Sequence, residues 1–130
     1  MILVDTHIVV WLAGDPKLIS KKAHAAIQEA RRNQSGLGIA AITLWELSML
    51  LRRGRIGVTV SLETFLRNVE LNFVVFPLNA RIAAMSMELG NGYPKDPTDR
   101  IIGATALVEG LPLVTRDEKI RASKQVSTIW

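Results

Sequence analysis

The sequence has no cysteine among its 130 residues. This absence excludes a disulfide scaffold, a zinc knuckle, an iron–sulfur cluster and a thiol nucleophile. Histidine occurs only as His7 and His24, which leaves little material for an imidazole-based metal site. No apolar run approaches the ~18 residues that a membrane-spanning helix needs, and the N-terminus lacks the basic region of a secretory signal. We therefore predict a cytoplasmic protein without a membrane association.

Aromatic residues are also scarce, at 5% of the chain, so the sequence offers no obvious platform for stacking nucleobases. Hydrophobic residues make up 48%, which excludes an intrinsically disordered chain. The length is typical of one domain that buries an apolar core without a structural metal. We expect residues 1–130 to form a single domain.

Short apolar runs alternate with longer helical patterns along the chain. The runs predicted as strands are residues 1–4, 37–42, 72–76, 111–115 and 126–129. The segments predicted as helices are residues 20–32, 43–53, 61–71, 79–89, 97–109 and 118–124. This alternation predicts an α/β fold, a three-layer α/β/α sandwich with a mainly parallel sheet of four to five strands. Such sheets bind ligands beyond the carboxyl ends of their strands.

Four acidic residues fall where strands end or helices begin, and each one needs an explanation. Thr43 and Glu46 have the spacing of a capping box. Asp99 is favoured near a helix N-terminus by the helix dipole, and Asp117 could cap the short helix that follows it. Asp5 directly follows a strand and is harder to explain, because a buried carboxylate is costly unless something pairs with it.

Taken together, carboxylates that meet at one edge of a sheet repel each other and raise each other's pKa values. The usual remedy is a divalent cation that prefers hard oxygen ligands, such as Mg²⁺ or Mn²⁺. Acid-only sites of this kind suit metal-assisted phosphodiester hydrolysis, in which the metal activates water and stabilises the charge on the phosphate. The pattern therefore predicts a metal-dependent hydrolase.

Several segments, in this order and at these spacings, resemble a known family. They are Leu3-Val4-Asp5-Thr6-His7 with Trp11-Leu12, Thr43-Leu44-Trp45-Glu46, Asp96-Pro97-Thr98-Asp99-Arg100-Ile101-Ile102-Gly103-Ala104-Thr105-Ala106, Leu113-Val114-Thr115-Arg116-Asp117 and Thr128-Ile129-Trp130. The chain resembles the PIN-domain ribonucleases, specifically the VapC-type toxins of prokaryotic toxin–antitoxin systems. The resemblance covers nearly the whole chain and implies a ribonuclease with a PIN-like fold.

The resemblance also implies roles for particular residues. The metal ligands and catalytic acids that it implies are Asp5, Glu46, Asp99 and Asp117, with Mg²⁺ or Mn²⁺ as the cofactor. It implies a hydroxyl role beside the metal for Thr115, with Thr6 as a second candidate.

Two residues close to these acids have roles that the sequence leaves open. His7 could touch the substrate, but a histidine in the first turn of a helix that packs against a neighbour is the interpretation we favour. Asp96 could contact the metal ligands without binding the metal itself, or it could only start the turn before Pro97. We favour the role in the turn.

The charge balance suits a polyanionic substrate. Sixteen basic residues exceed twelve acidic ones, for a net charge of +4. If a metal neutralises the four acids, eight acidic residues remain against sixteen basic ones. The rest of the protein is then strongly basic, and a basic surface steers nucleic acid toward the site. Arg100 and Arg116 neighbour the acids and are the predicted RNA contacts. The cluster of Arg52, Arg53 and Arg55 is either a further contact or a solvated helix end.

The resemblance further implies a small cognate antitoxin that blocks the metal site, and a homodimer. An amphipathic partner helix would need an apolar groove. The candidates for that groove are Trp11, Leu12, Trp45, Leu50 and Leu51.

Two alternatives come from other functional classes. A non-catalytic module could keep the fold without the chemistry, although all four acids are intact. A phospho-accepting receiver domain needs an aspartate at the end of its central strand, whereas the third predicted strand ends in Phe76-Pro77-Leu78. A metal-dependent RNA cleavage assay separates these possibilities.

Overall fold

A parallel sheet of five strands, in the order β3-β2-β1-β4-β5, forms the centre of the computed structural model, which describes residues 1–130. The strands are β1 (Ile2–Val4), β2 (Leu37–Ala40), β3 (Val74–Phe76), β4 (Leu113–Val114) and β5 (Thr128–Ile129). The helices are α1 (Thr6–Ala13), α2 (Lys21–Arg32), α3 (Ala41–Arg52), α4 (Leu62–Asn72), α5 (Ala80–Glu88), α6 (Pro97–Glu109) and α7 (Glu118–Ser123), with a 3₁₀ helix at Pro16–Leu18.

The first strand lies in the middle of the sheet. Leu3 of β1 is paired with Gly38 of β2 on one side and with Leu113 of β4 on the other. Since all pairings are parallel, the carboxyl ends of β1, β2 and β4 meet at one edge of the sheet. That edge carries the segments in which the candidate acids were found.

Both faces of the sheet are covered, because neighbouring residues of a strand point to opposite sides. Leu3 and Leu113 belong to one buried cluster, which includes residues of α6 and α7. Val4 and Val114 belong to the other, which includes residues of α1, α2, α3 and α4. The predicted three-layer α/β/α architecture is therefore confirmed. None of the helices has both the length and the apolar character that crossing a bilayer requires.

A close contact fixes the start of α6. A Cβ built on Gly103 would lie 2.2 Å from the hydroxyl oxygen of Tyr93, so only glycine leaves room for this side chain. The buried Tyr93 donates a hydrogen bond of 3.1 Å to the carbonyl oxygen of Asp99. The position of the first turn of α6 therefore depends on packing one turn further along the same helix.

Candidate active site

Asp5 lies directly after β1 and caps the N-terminus of α1. Its side chain is buried, with 6% of the residue exposed. The Oδ1 atom accepts a hydrogen bond of 2.7 Å from the amide of Thr6, and Oδ2 accepts one of 2.8 Å from the hydroxyl of Thr115. Burial raises the pKa of Asp5, and the bond from Thr115 partly offsets this effect. The carboxylate is thus held in place by neutral donors.

Thr115 connects two of the candidate acids. It follows β4 and is fully buried. Besides donating to Asp5, its hydroxyl accepts a hydrogen bond of 3.1 Å from the amide of Asp117. Asp117 caps α7 as expected, since its Oδ1 accepts from the amide of Ile120 at 2.9 Å. The other carboxylate oxygen of Asp117 has no hydrogen bond within the protein.

The predicted capping box of Thr43 and Glu46 is wrong. The helix α3 begins at Ala41, and its N-cap residue is Ala40, which has no capping side chain. Because β2 passes into α3 without a loop, Thr43 lies inside the first turn and is fully buried. Its hydroxyl oxygen lies 3.1 Å from that of Thr6, and the two share a hydrogen bond.

Glu46 consequently has no capping function that would explain it. It lies in the second turn of α3 and is partly buried. Burial raises the pKa of Glu46, the charge of Asp5 adds to this effect, and the side chain of Thr6 opposes it. The Thr6 hydroxyl therefore lies between elements that carry two of the acids.

Asp99 lies in the first turn of α6, directly after a cap formed by Asp96. The Oδ1 atom of Asp96 accepts hydrogen bonds from the amides of Thr98 at 2.9 Å and Asp99 at 3.3 Å, so our assignment of Asp96 to the turn is confirmed. Burial raises the pKa of Asp99 to about 7, and the negative charges around it contribute. Those charges belong to Asp5, Asp96, Asp117 and Glu46.

None of the four acids forms an ion pair, although the charge of His7 acts to lower the pKa values of Asp5 and Glu46. The protein contains two ion pairs, Glu29–Arg32 and Glu63–Arg67, and both lie on outer helices. As the side chains lie, no three acidic or histidine residues converge closely enough to hold a metal ion. The donor set itself, oxygen atoms of carboxylates that form no ion pair, suits a hard divalent cation.

Two concavities flank Asp117 and give access to the acids. The smaller has a volume of about 310 Å³ and is lined by Asp5, His7, Trp11, Arg116, Asp117 and Glu118. The larger has a volume of about 1000 Å³, and few of its lining residues are hydrophobic. Its lining includes Tyr93, Lys95, Asp96, Asp99, Asp117 and Lys119.

The arginines near the site differ in their surroundings. Arg116 is exposed, and its guanidinium carbon lies 5.8 Å from the ring centroid of Trp11. Arg100 instead donates through Nη1 to the carbonyl oxygens of Leu89 at 2.8 Å and Ser86 at 3.3 Å. These carbonyls end α5, which gives Arg100 a structural role, and the RNA contact that we expected of it stays a prediction.

The arginine cluster at residues 52–55 is exposed and begins at the last residue of α3. Its first member is six residues beyond Glu46, which is about 9 Å along a helix axis. The position agrees with the interpretation as a solvated helix end.

Sequence reasoning missed an aromatic cluster beside the acids. The ring centroids of Trp11 and His7 lie 6.0 Å apart, and those of Trp11 and Trp130 lie 6.1 Å apart. The low aromatic content led us to expect no stacking platform, whereas the fold gathers three of the few rings in one place. Tyr93 was also missed, although it is the only tyrosine of the chain.

The PIN domain family matches residues 2–124. The chain therefore belongs to the PIN-domain family, and the alternative of a receiver domain is wrong. It is 30% identical to Ribonuclease VapC22 of Mycobacterium tuberculosis, over 99% of this chain and 98% of that protein. The VapC-type resemblance inferred from the sequence is thus confirmed.

Solved structures show the same fold. VapBC2 from Rickettsia felis, bound to a DNA fragment from its promoter, is similar with a TM-score of 0.72 at 18% identity, over 98% of this chain and 97% of that one. DNA-bound VapBC from Salmonella typhimurium has a TM-score of 0.71 at 19% identity, with the same coverage of 98% and 97%.

Proposed function

We propose that this protein is a metal-dependent ribonuclease and the toxin of a toxin–antitoxin pair, with residues 1–130 as one nuclease domain. The observation that carries the proposal is the buried carboxylate of Asp5, which forms no ion pair and lies near three further acids. Its relative of 30% identity is named a ribonuclease.

The electrostatics favour a divalent cation at Asp5, Glu46, Asp99 and Asp117. Burial and mutual repulsion raise the pKa values of Asp5, Glu46 and Asp99, so the ionised forms are disfavoured in the protein alone. Mg²⁺ or Mn²⁺ offsets this cost, because both prefer hard oxygen ligands. When bound, such a cation supplies a Lewis acid for the phosphate and lowers the pKa of a water molecule.

The surrounding residues of the chain orient these acids and attract the substrate. Thr115 fixes one oxygen of Asp5, and the amide of Thr6 fixes the other. Lys95 and Lys119 line the larger concavity beside Asp99, and Arg116 lines the smaller one. A phosphodiester backbone that crosses the acids therefore meets positive charge on both sides.

The decisive experiment is an RNA cleavage assay with purified protein, a single-stranded RNA of mixed sequence, and Mn²⁺, Mg²⁺ or EDTA. We expect cleavage with either metal and none in EDTA. Glu46→Gln tests one acid, because glutamine keeps the shape and is a poor ligand for Mg²⁺. Glu63→Gln is the matched control, since it makes the same change on the exposed face of α4. We expect the first variant to lose activity and the second to keep it.

Each part of the proposal can fail separately. Cleavage that persists in EDTA would contradict the metal dependence. An active Glu46→Gln variant would remove Glu46 from the ligand set. A folded wild-type protein that binds RNA without cutting it under any metal would support the non-catalytic alternative.

For the antitoxin, we propose an apolar contact surface beside the acids. Trp45 is 55% exposed, whereas Leu50 and Leu51 are partly buried, and Trp11 and Leu12 pack against the core. A concavity of about 550 Å³ lies next to Trp45, and its lining is mainly apolar: Ala41, Ile42, Trp45, Leu78, Pro97, Thr98 and Ile101. Such a surface suits the apolar face of a partner helix.

This surface can be tested with the cognate antitoxin that the resemblance implies. We expect it to inhibit RNA cleavage, and Trp45→Asp to weaken inhibition without reducing cleavage by the free enzyme. Equal inhibition of the wild type and Trp45→Asp would show that the antitoxin does not bind at Trp45. The homodimer that the resemblance implies is checked by light scattering of the purified chain.

A further inference from the structure

We propose that Trp11, His7 and Arg116 form a subsite that stacks one unpaired nucleobase beside the acidic cluster. This inference rests on the proposed ribonuclease function and names the part of the substrate that the enzyme recognises.

The ring of Trp11 has the features of a rigid stacking platform. One side of the residue packs against the apolar core, and Trp130 braces it at a centroid distance of 6.1 Å. The residue also lines the smaller concavity, together with the exposed His7, whose ring centroid lies 6.0 Å away. An aromatic ring that is already fixed loses little conformational freedom when a base stacks on it.

Arg116 adds a positive charge that is not neutralised. Although Asp117 and Glu118 follow it directly, no carboxylate lies within ion-pair distance of its guanidinium group. The guanidinium lies 5.8 Å from the Trp11 centroid, a cation–π geometry that keeps it over the platform. Since the guanidinium lies over the Trp11 ring, the base stacks on the guanidinium that Trp11 supports, and the same charge can bind the adjoining phosphate, as arginine does at nucleic-acid sites.

The concavity connects this platform to the proposed chemistry. Its volume of about 310 Å³ lies at the small end of ligand pockets, which suits one nucleoside. Asp5 and Asp117 line the same space, so a base held there places its own phosphate next to the acids. The larger concavity has lysines but no exposed aromatic ring, so it suits the RNA backbone alone.

The smaller concavity can bind a base, and the larger one can bind only the backbone. A base within a helical stem is already stacked on its neighbours, and only a single strand or a loop can present one to a protein ring. The proposed subsite therefore binds a base on one side of the cleaved bond, whereas the larger concavity on the other side binds the backbone without selecting a base.

The test uses an RNA that the wild-type enzyme cleaves at one bond. Versions of this RNA carry a single abasic nucleotide, placed in turn at each of the positions around that bond, and kcat/KM is measured for each. We expect one position beside the bond to show a loss of about five- to a hundredfold, the range typical of a stacked base. All other positions should change kcat/KM by less than about twofold.

Variants then assign that base to the subsite. In Arg116→Ala and Trp11→Leu the loss caused by the abasic nucleotide should shrink to less than about twofold, because the partner of the base is already gone. Trp11→Phe keeps an aromatic face and should keep most of the loss. Arg81→Ala is the matched control, since it removes one exposed arginine from α5 and should keep the full loss.

Folding is checked by thermal unfolding of each variant. If Trp11→Leu does not fold, the exposed residues His7 and Arg116 carry the test through alanine variants. The proposed subsite is wrong if the enzyme cleaves RNA but no abasic nucleotide lowers kcat/KM. It is also wrong if the abasic nucleotide lowers kcat/KM as much in Arg116→Ala as in wild type. If wild type cleaves no RNA, the proposed function fails first, and the subsite fails with it.

Discussion

Acidic side chains occur in two settings in this protein. On the outer faces of α2 and α4, Glu29 and Glu63 each meet an arginine on the next turn of the same helix, at 2.6 Å and 2.9 Å. At the carboxyl edge of the sheet, by contrast, Asp5 and its neighbours form no ion pair: Asp5 accepts from a hydroxyl group and an amide, and the charge of His7 only partly offsets the effect of burial on its pKa.

The two settings differ in their effect on stability. An exposed pair along a helix surface contributes little to stability, and its loss is tolerated. A partly buried group of unpaired carboxylates disfavours the ionised state, which raises the pKa of Asp99 to about 7. A chain that keeps such a group gives up stability at this edge, as is expected of a site that binds a cation. The following predictions test this contrast.

The largest effect is expected for Asp5→Asn. The amide oxygen can still accept from Thr6, and the amide nitrogen can donate to the hydroxyl of Thr115, so the fold should persist. The negative charge is lost, and cleavage of RNA should fall by more than about a hundredfold, beyond the effect of residues that only support metal ligands. Thermal stability should hold or rise, since a buried charge has gone. Near-normal cleavage by this variant would remove Asp5 from the site.

Divalent metal should stabilise the edge of the sheet and leave the surface pairs unaffected. A cation that binds only the folded protein adds about 2.7 kcal/mol at a hundred times its Kd, or roughly 10 °C in Tm for this size. We expect this shift with Mn²⁺, and much less for the double variant Asp5→Asn with Asp99→Asn. NaCl at matched ionic strength is the control, and an equal shift with NaCl would contradict a metal site.

The rise in Tm that Mn²⁺ causes should also become larger as the pH increases. The pKa of Asp99 is raised from 3.8 to about 7, so the folded state holds an extra proton between these values. Without metal, this group makes stability decline as pH rises through that window. A metal must displace the proton, so the Mn²⁺ shift in Tm should be larger at pH 8 than at pH 6. A shift that does not depend on pH would argue against Asp99 as a ligand.

An intermediate effect is expected for Thr115→Val. Valine fills the same space but leaves Oδ2 of Asp5 and the amide of Asp117 without their partner. Loss of a hydrogen bond to a buried group costs about 1–3 kcal/mol, which urea unfolding will measure. The apparent Kd for Mn²⁺ should rise about 10- to 100-fold. Thr115→Ser keeps the hydroxyl and should restore metal affinity. If valine binds Mn²⁺ as wild type does, the hydroxyl does not support a metal site.

The smallest effect is expected for Glu29→Gln. It removes the pair with Arg32, in which both side chains are mostly exposed. The free energy of unfolding should fall by less than about 0.5 kcal/mol, and cleavage and the Mn²⁺ response should not change. A larger decrease in the free energy of unfolding would show that the exposed ion pairs contribute substantially to the stability of this fold.

Much of the fold could be predicted because its signals are local. The strands and most helices follow from runs of apolar residues and from capping residues such as Ser20, Ser61 and Asp117. Thr43 misled the prediction of a helix start, since the chain passes from β2 into α3 at Ala40 without a loop. Spacing alone does not reveal a helix start that has no capping side chain.

The parts of the site that could not be predicted join distant segments. The aromatic cluster brings Trp11 against Trp130, and only the position of β5 beside β4 creates that contact. Likewise, the sequence places Arg100 next to Asp99, but the side chain extends back to the carbonyls that end α5. Neighbours along the chain were a poor guide to the direction of side chains.

The hydrogen bond between Thr115 and Asp5 also determines when the site can form during synthesis. It joins residues 110 positions apart, and β4 contributes it from a place beside the first strand of the chain. A contact of such long sequence separation requires the closure of a large loop before it can form. A nascent chain that has not yet reached β4 contains Asp5, Glu46 and Asp99, but it lacks both Thr115 and Asp117. On the ribosome, the growing polypeptide therefore lacks part of the proposed site until its last strands have been made.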